Sequence, residues 1–207
     1  MLALGKEHQM TCQSNDGNFT DAGTADVPTS NKTLDSFVTV SRRFCEQCEQ
    51  SEHYTLVQFT KISLTALSEI YSRFVALELA PLYLVSEIDT DPAYERSRII
   101  HRILGDKFGN LDVYWECFDP YELAEPVMYT ISDCMADIYG DLKAGLLAYD
   151  SDAPNRIELA IDAWWGLHFH WGLHLVNAVK VLHCTLMLLN EAEKDTSSEA
   201  SASEDNM

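Results

Sequence analysis

Trp164-Trp165-Gly166-Leu167-His168-Phe169-His170-Trp171-Gly172-Leu173-His174 packs three Trp, one Phe and three His into eleven residues. It lies inside a helical pattern running from about Pro154 to Asn190, and so belongs to one long helix whose side chains emerge at successive angles into the core. At 1.5 Å per residue such a helix would reach about 55 Å, long for a domain of this size, which makes Gly166 and Gly172 the expected places for a bend. The density of aromatic and imidazole groups poses the functional question. Either the histidines do chemistry, or they satisfy one another inside the fold.

Working outward, the preceding helix starts after Glu125-Pro126 and carries Val127, Ile131, Cys134, Met135, Ile138, Leu142, Leu146 and Tyr149 on one stripe, ending in a loop around Asp150 to Ala153. Beside that stripe Asp133, Asp137 and Asp141 recur every four residues, so their carboxylates form a ladder along one side of the helix. Like charges at that spacing repel, and mid-helix aspartates have mediocre helix propensity, so water, a cation or hydrogen-bond donors must compensate them. The long helix offers donors: His170 and His174 are spaced i, i+4, and Trp164 and Trp171 each carry an indole N–H.

Two readings of that polar seam compete. In one, the aspartates accept hydrogen bonds from histidine and tryptophan N–H groups, a closed buried network that fixes how the helices pack. In the other, His170, His174 and one or two of Asp133, Asp137 and Asp141 ligate a divalent metal, with Asp137 as ligand or general base, because imidazole and carboxylate suit Zn, Mn or Fe and helical bundles build such sites from facing side chains. A His-x-x-x-His pair without the glutamate of the metalloprotease pattern is a weak signal, so the closed network is the preferred reading.

The remainder reads as more helix. Leu34, Phe37, Val38, Ser41, Phe44, Cys45 and Cys48 give helix one, from Thr33 to about Gln50. Leu56, Phe59, Ser63, Ala66, Leu67, Ile70, Phe74 and Leu77 give helix two, from near Tyr54 to the break at Pro81. Helix three follows Asp91-Pro92 and stops around Gly109. Leu111 to Phe118 is short and aromatic, without an obvious partner strand, so it is expected as an extended arm across the bundle, with a turn at Asp119-Pro120. Residues 1–32 and 191–207 lack apolar periodicity and are expected to be a disordered leader and a disordered acidic tail around a single helical domain, 33–190.

Composition narrows the function. Fourteen Lys and Arg against 33 Asp and Glu leave a net charge of -19, which repels phosphate backbones and anionic lipids and disfavours nucleic acid and membrane surfaces as partners. Trp171 to Leu189 is interrupted by His174, Asn177, Lys180 and His183, so it reads as a buried core helix rather than a membrane span. Met1 to Met10 lacks the apolar region of a secretory signal, and six irregularly placed cysteines do not suggest a disulfide scaffold, so the expected setting is the cytoplasm with reduced thiols. Cys45 and Cys48 sit near the end of helix one, where the dipole disfavours a thiolate, and read as small buried residues.

Three motifs in order, Tyr114-Trp115-Glu116-Cys117-Phe118-Asp119-Pro120, Ser132-Asp133-Cys134-Met135-Ala136-Asp137-Ile138-Tyr139-Gly140-Asp141-Leu142 with Gly145-Leu146, and His170-Trp171-Gly172-x-His174, resemble a bacterial family catalogued only as a domain of unknown function. The resemblance spans residues 34 to 184. It implies an all-helical bacterial protein and carries no activity across. In that family the second motif often has paired aspartates, and Cys134 stands here at the second of them. The chain is therefore expected to be an all-α bundle of about five helices. The leading functional expectation is a non-catalytic cytoplasmic module that binds a protein or small molecule without a cofactor. The alternative is a metal-dependent hydrolytic enzyme that holds a divalent ion between helices four and five.

Overall fold

Residues 32–77, 91–117, 121 and 125–204 are described in the computed structural model. The expected leader, apart from Lys32, lies outside the described residues, as do Pro81 and the Asp119-Pro120 turn. Five α-helices appear among the described residues: α1 (Lys32–Glu49), α2 (Leu56–Val75), α3 (Asp91–Phe108), α4 (Ile131–Tyr149) and α5 (Arg156–Glu204). The all-α class follows directly from the 3.6-residue periodicity. Leu34, Phe37, Phe44, Cys45 and Cys48 of α1 are buried against Phe59, Leu67, Ile70 and Phe74 of α2. The Thr55 hydroxyl accepts the Gln58 backbone N–H while the Gln58 side chain accepts that of Thr55, so α2 begins with a capping box.

The extended arm has a partner after all. β1 (Val113–Glu116) pairs antiparallel with β2 (Val127–Thr130), placing Val113 opposite Thr130 and Trp115 opposite Met128. The second strand is a segment expected to be the start of helix four. Val127-Met128-Tyr129-Thr130 follows a proline and has β-branched and aromatic residues that fit a pleated ribbon. The helix begins only at Ile131, because the Thr130 hydroxyl accepts the Asp133 N–H as an N-cap. Asp112 ties the hairpin to this first turn: its carboxylate accepts the Ser132 N–H at 2.8 Å and the Ser132 hydroxyl at 2.7 Å, and its carbonyl accepts the Ile131 N–H.

α4 is the central helix, packed by α1, α3 and α5. Small residues on two of its sides permit this. Gly140 meets Ser97 and Tyr94 of α3, and Gly145 lies directly under the Trp164 indole of α5. Trp164 and Trp171 are fully buried, touching Phe37 and Phe74 with ring centroids 4.7–6.3 Å apart. Taking 150–250 Å² per aromatic side chain, each such burial stabilises the fold by about 4–6 kcal/mol as an upper bound.

α5 differs from expectation in two ways. It runs uninterrupted through Gly166 and Gly172 and continues past Asn190 to Glu204, 49 residues or about 73 Å. No glycine or proline follows Gly172, so nothing in the sequence punctuates the helix. Nor is it a wholly buried core helix. Trp171, Leu175, Ala178 and Leu182 form a buried stripe, while Phe169, Val176, Met187 and Leu188 are exposed. The stretch His168–Lys194 is long and apolar enough to cross a membrane by length and composition, and only 22% of its most apolar window is buried.

Candidate functional site

The buried tryptophans fix the register of α5 on α4, and that register decides which polar groups meet. The Trp164 indole N–H donates to the Leu142 carbonyl at 3.1 Å, and that of Trp171 donates to the Trp164 carbonyl at 3.1 Å. Neither indole reaches an aspartate, so the expected tryptophan–carboxylate bonds do not form. His168 lies apart from the seam: it stacks on Trp165 and Phe74, with its Nδ1 2.6 Å from the Trp165 carbonyl. What the register does bring together is His170 against Asp141 and Asp137, and His174 against Asp137 and Cys134. The aspartate ladder is graded in depth: Asp133 is exposed, Asp137 half-buried, and Asp141 only 1% exposed.

Asp141 is buried yet fully engaged. One carboxylate oxygen accepts the Tyr94 hydroxyl at 2.9 Å and the other accepts the Nδ1–H of His170 at 2.8 Å. Burial first, and then Asp141, pushes the Tyr94 phenol up to about 12, so it remains a donor. The consequence lies on the far side of the ring. With Nδ1–H donated to Asp141, Nε2 is the ring nitrogen left over, and it lies 4.0 Å from the Asp137 carboxylate. That gap is too long for a hydrogen bond.

His174 completes the cluster. Its Nδ1 lies 3.3 Å from the Cys134 sulfur and its Nε2 lies 3.4 Å from the same Asp137 oxygen. Burial lowers the His174 pKa more than Asp137 raises it, so the ring is neutral at pH 7 and the 3.4 Å contact is not an ion pair despite its length. Burial raises the Asp137 pKa, with Asp133 and Asp141 adding to it and the two histidines opposing. The Cys134 thiol, pushed up to about 11 mainly by burial, stays protonated and exchanges a hydrogen bond with Tyr114 at 3.1 Å.

Two proton arrangements of His174 are therefore open. With the proton on Nε2, it donates to Asp137 and the network closes. With the proton on Nδ1, directed to Cys134, both Nε2 lone pairs and the Asp137 carboxylate converge. One ligand atom each from Asp137, His170 and His174 then lies within 4.8 Å of the others. Ligands about 2.0–2.2 Å from a tetrahedral zinc are about 3.3 Å apart, so shifts of an ångström or so would close the set around an ion. Sequence reasoning named Asp137, His170 and His174 but missed Tyr94 and the role of Cys134. A tyrosine early in a third helix carries no local mark of a contact 47 residues away. A separate cleft of about 460 Å³, lined by Ser51, Tyr54, Leu56, Ile103 and Lys107 among others, shares no residue with this cluster.

Comparison with protein families matches residues 29–187 to a domain of unknown function (DUF5063). No curated protein matches the chain. Among solved structures, the crystal structure of protein BF1032 from Bacteroides fragilis is similar, with 23% identity and a TM-score of 0.57 over 74% of this chain and 91% of that one. At that identity the likeness speaks for the fold alone.

Proposed function

The chain belongs to the DUF5063 family, a domain of unknown function, and from that premise we propose that it binds one divalent transition metal through His170, His174 and Asp137 and uses it for hydrolysis. The observation that carries the reading is the His170 pair. Asp141 accepts the Nδ1–H, which leaves Nε2 as the ring nitrogen facing the Asp137 carboxylate at 4.0 Å, and a cation between the two would bind both. Asp141 and Cys134 then play the outer part usual around metal-bound histidines, holding each ring and its tautomer. Three protein ligands leave a coordination position for water, and the half-exposed His170 ring puts that position within reach of solvent. Zinc, or manganese or iron, suits the donor set and would lower the pKa of bound water towards neutrality.

A non-catalytic interaction role draws on a different feature. Val113, Trp115 and Met128 expose one apolar side of the hairpin, Trp115 to 66%. The net charge of -19 supports a partner other than nucleic acid or an anionic membrane.

Metal analysis of untagged protein, before and after incubation with zinc, tests the main reading. We expect about one equivalent, a melting temperature lowered by chelator, and loss of the metal with retained helicity in Asp137→Ala. No stoichiometric metal after zinc incubation, with no chelator effect, would leave the closed hydrogen-bonded network as the role of these residues.

A further inference from the structure

Resting on the metal-site reading, we infer that Tyr114, a hairpin residue that bonds to none of the three ligands, sets which nitrogen of His174 carries the proton and thereby restrains the affinity of the site for metal. Its place is fixed from two sides. Asp112, at the foot of β1, is tied to the first turn of α4 through Ser132 and Ile131. Tyr114 itself stacks on its cross-strand neighbour Tyr129, with ring centroids 5.9 Å apart. Strand alternation turns Trp115 outward and Tyr114 inward, where its hydroxyl lies 3.1 Å from the Cys134 sulfur. The Cys134 sulfur in turn lies 3.3 Å from His174 Nδ1.

The two histidines are held differently. His170 faces a carboxylate, which accepts, whereas His174 faces a thiol, which donates or accepts. Burial, and then the bond to Cys134, raise the Tyr114 phenol well above its ordinary range, so it keeps its proton. Three protons then have to be placed, on Tyr114, Cys134 and His174. One direction satisfies them all: the Tyr114 O–H donates to the sulfur, the S–H donates to His174 Nδ1, and Nε2–H is directed at the Asp137 carboxylate 3.4 Å away. In the opposite direction Nδ1–H donates to the sulfur and the S–H to the Tyr114 oxygen. The Tyr114 O–H then has no acceptor among the described residues, and Nε2 meets the Asp137 carboxylate without a proton. Metal-free protein therefore takes the first direction, and a metal on Nε2 requires the second. Removing the hydroxyl deletes a good donor from the metal-free arrangement but only a weak thiol bond from the metal-bound one, so it favours the metal.

Two measurements on the full chain test this. Long-range nitrogen–proton NMR spectra of the histidine rings read the tautomer in metal-free protein, and a zinc titration against a chromophoric chelator reads the affinity. The unsubstituted protein should carry Nε2–H on His174. Tyr114→Phe should bind zinc about twofold to fivefold more tightly, the lower part of the range for one net hydrogen bond. A merely structural role for Tyr114 would weaken binding instead. Tyr129→Phe keeps the stacked ring pair and alters a hydroxyl that makes no bond to Cys134, so its zinc affinity should match that of the unsubstituted protein. Nδ1–H on His174 in the unsubstituted metal-free protein, zinc bound no tighter by Tyr114→Phe, or an equal gain in Tyr129→Phe overturns the role of Tyr114 while leaving the metal in place. Zinc bound by none of the three proteins defeats the metal reading itself, and the role of Tyr114 with it.

Discussion

Replacing Gly145 by alanine tests how α4 and α5 are held together. A Cβ at this position would stand 2.5 Å from Trp164 Cδ1 and closer still to Nε1 and Cε2, far inside van der Waals contact with a side chain that is itself fully buried. Either the helices separate or the indole moves. Overpacking of this kind costs about 1–3 kcal/mol. Displacing the indole also strips its N–H from the Leu142 carbonyl, which costs about 1–3 kcal/mol if the groups stay buried. Alanine recovers about 1 kcal/mol of helix propensity over glycine. The net expectation is a destabilisation of about 3 kcal/mol, or a melting temperature lower by about 6–12 °C for a chain of this size. Thermal and urea unfolding followed by circular dichroism measure it, with the urea midpoint shifted at constant slope. A melting temperature within about 2 °C of the unsubstituted protein would refute the reasoning, because Gly145 would then not set the separation of the two helices.

Gly166 gives the contrasting case: nothing lies within 4 Å of its Cβ position, so Gly166→Ala should raise stability by about 0.5–1 kcal/mol through helix propensity alone, and a lower melting temperature would argue against the continuous α5. Asp141→Asn should weaken zinc binding about 10–100-fold in a calorimetric titration with the helical signal unchanged, since it loosens the group that orients His170; undiminished affinity would remove Asp141 from the site. For Glu49, burial works to raise the pKa, but the Tyr139 hydroxyl and the Lys143 ammonium outweigh it and hold the carboxyl below its ordinary value of 4.5. A folded-state pKa below the unfolded one contributes stability that is present above pH 4.5 and is lost as the pH falls through the folded value. Glu49→Gln should therefore flatten the acid limb of the melting-temperature profile, and parallel acid limbs for the two proteins would count against it.

Sequence periodicity made the helices legible because each buries one stripe: the apolar positions of α1, α2 and α4 are the ones found in the core. It failed where local and non-local signals diverged. Val127 fits the i, i+3, i+4 frame of helix four by coincidence, yet Thr130-x-x-Asp133 marks the true start, and pairing with Val113–Glu116 decides the conformation of the residues before it. α5 outruns its expected end because polarity alone does not stop a helix where neither glycine nor proline punctuates it. At the site, the i, i+4 spacings of Asp137 with Asp141 and of His170 with His174 were readable, since both pairs lie on single helices. Which donor meets which acceptor depends on the relative register of α4 and α5. That register is set by Gly145 under Trp164, a fit of shapes that spacing along one helix does not encode. The indoles depart from the expected carboxylate pairing for the same reason: each buried N–H donates to a backbone carbonyl that the packing brings within reach.

X-ray absorption at the zinc edge of zinc-loaded protein tests the ligand set most directly, because Cys134 lies beside His174 and sulfur is easily told from nitrogen. The expected spectrum has a shell of nitrogen and oxygen at about 2.0–2.2 Å, with outer scattering from two imidazole rings and one carboxylate. A sulfur shell at about 2.3 Å, or a spectrum without imidazole scattering, would contradict it.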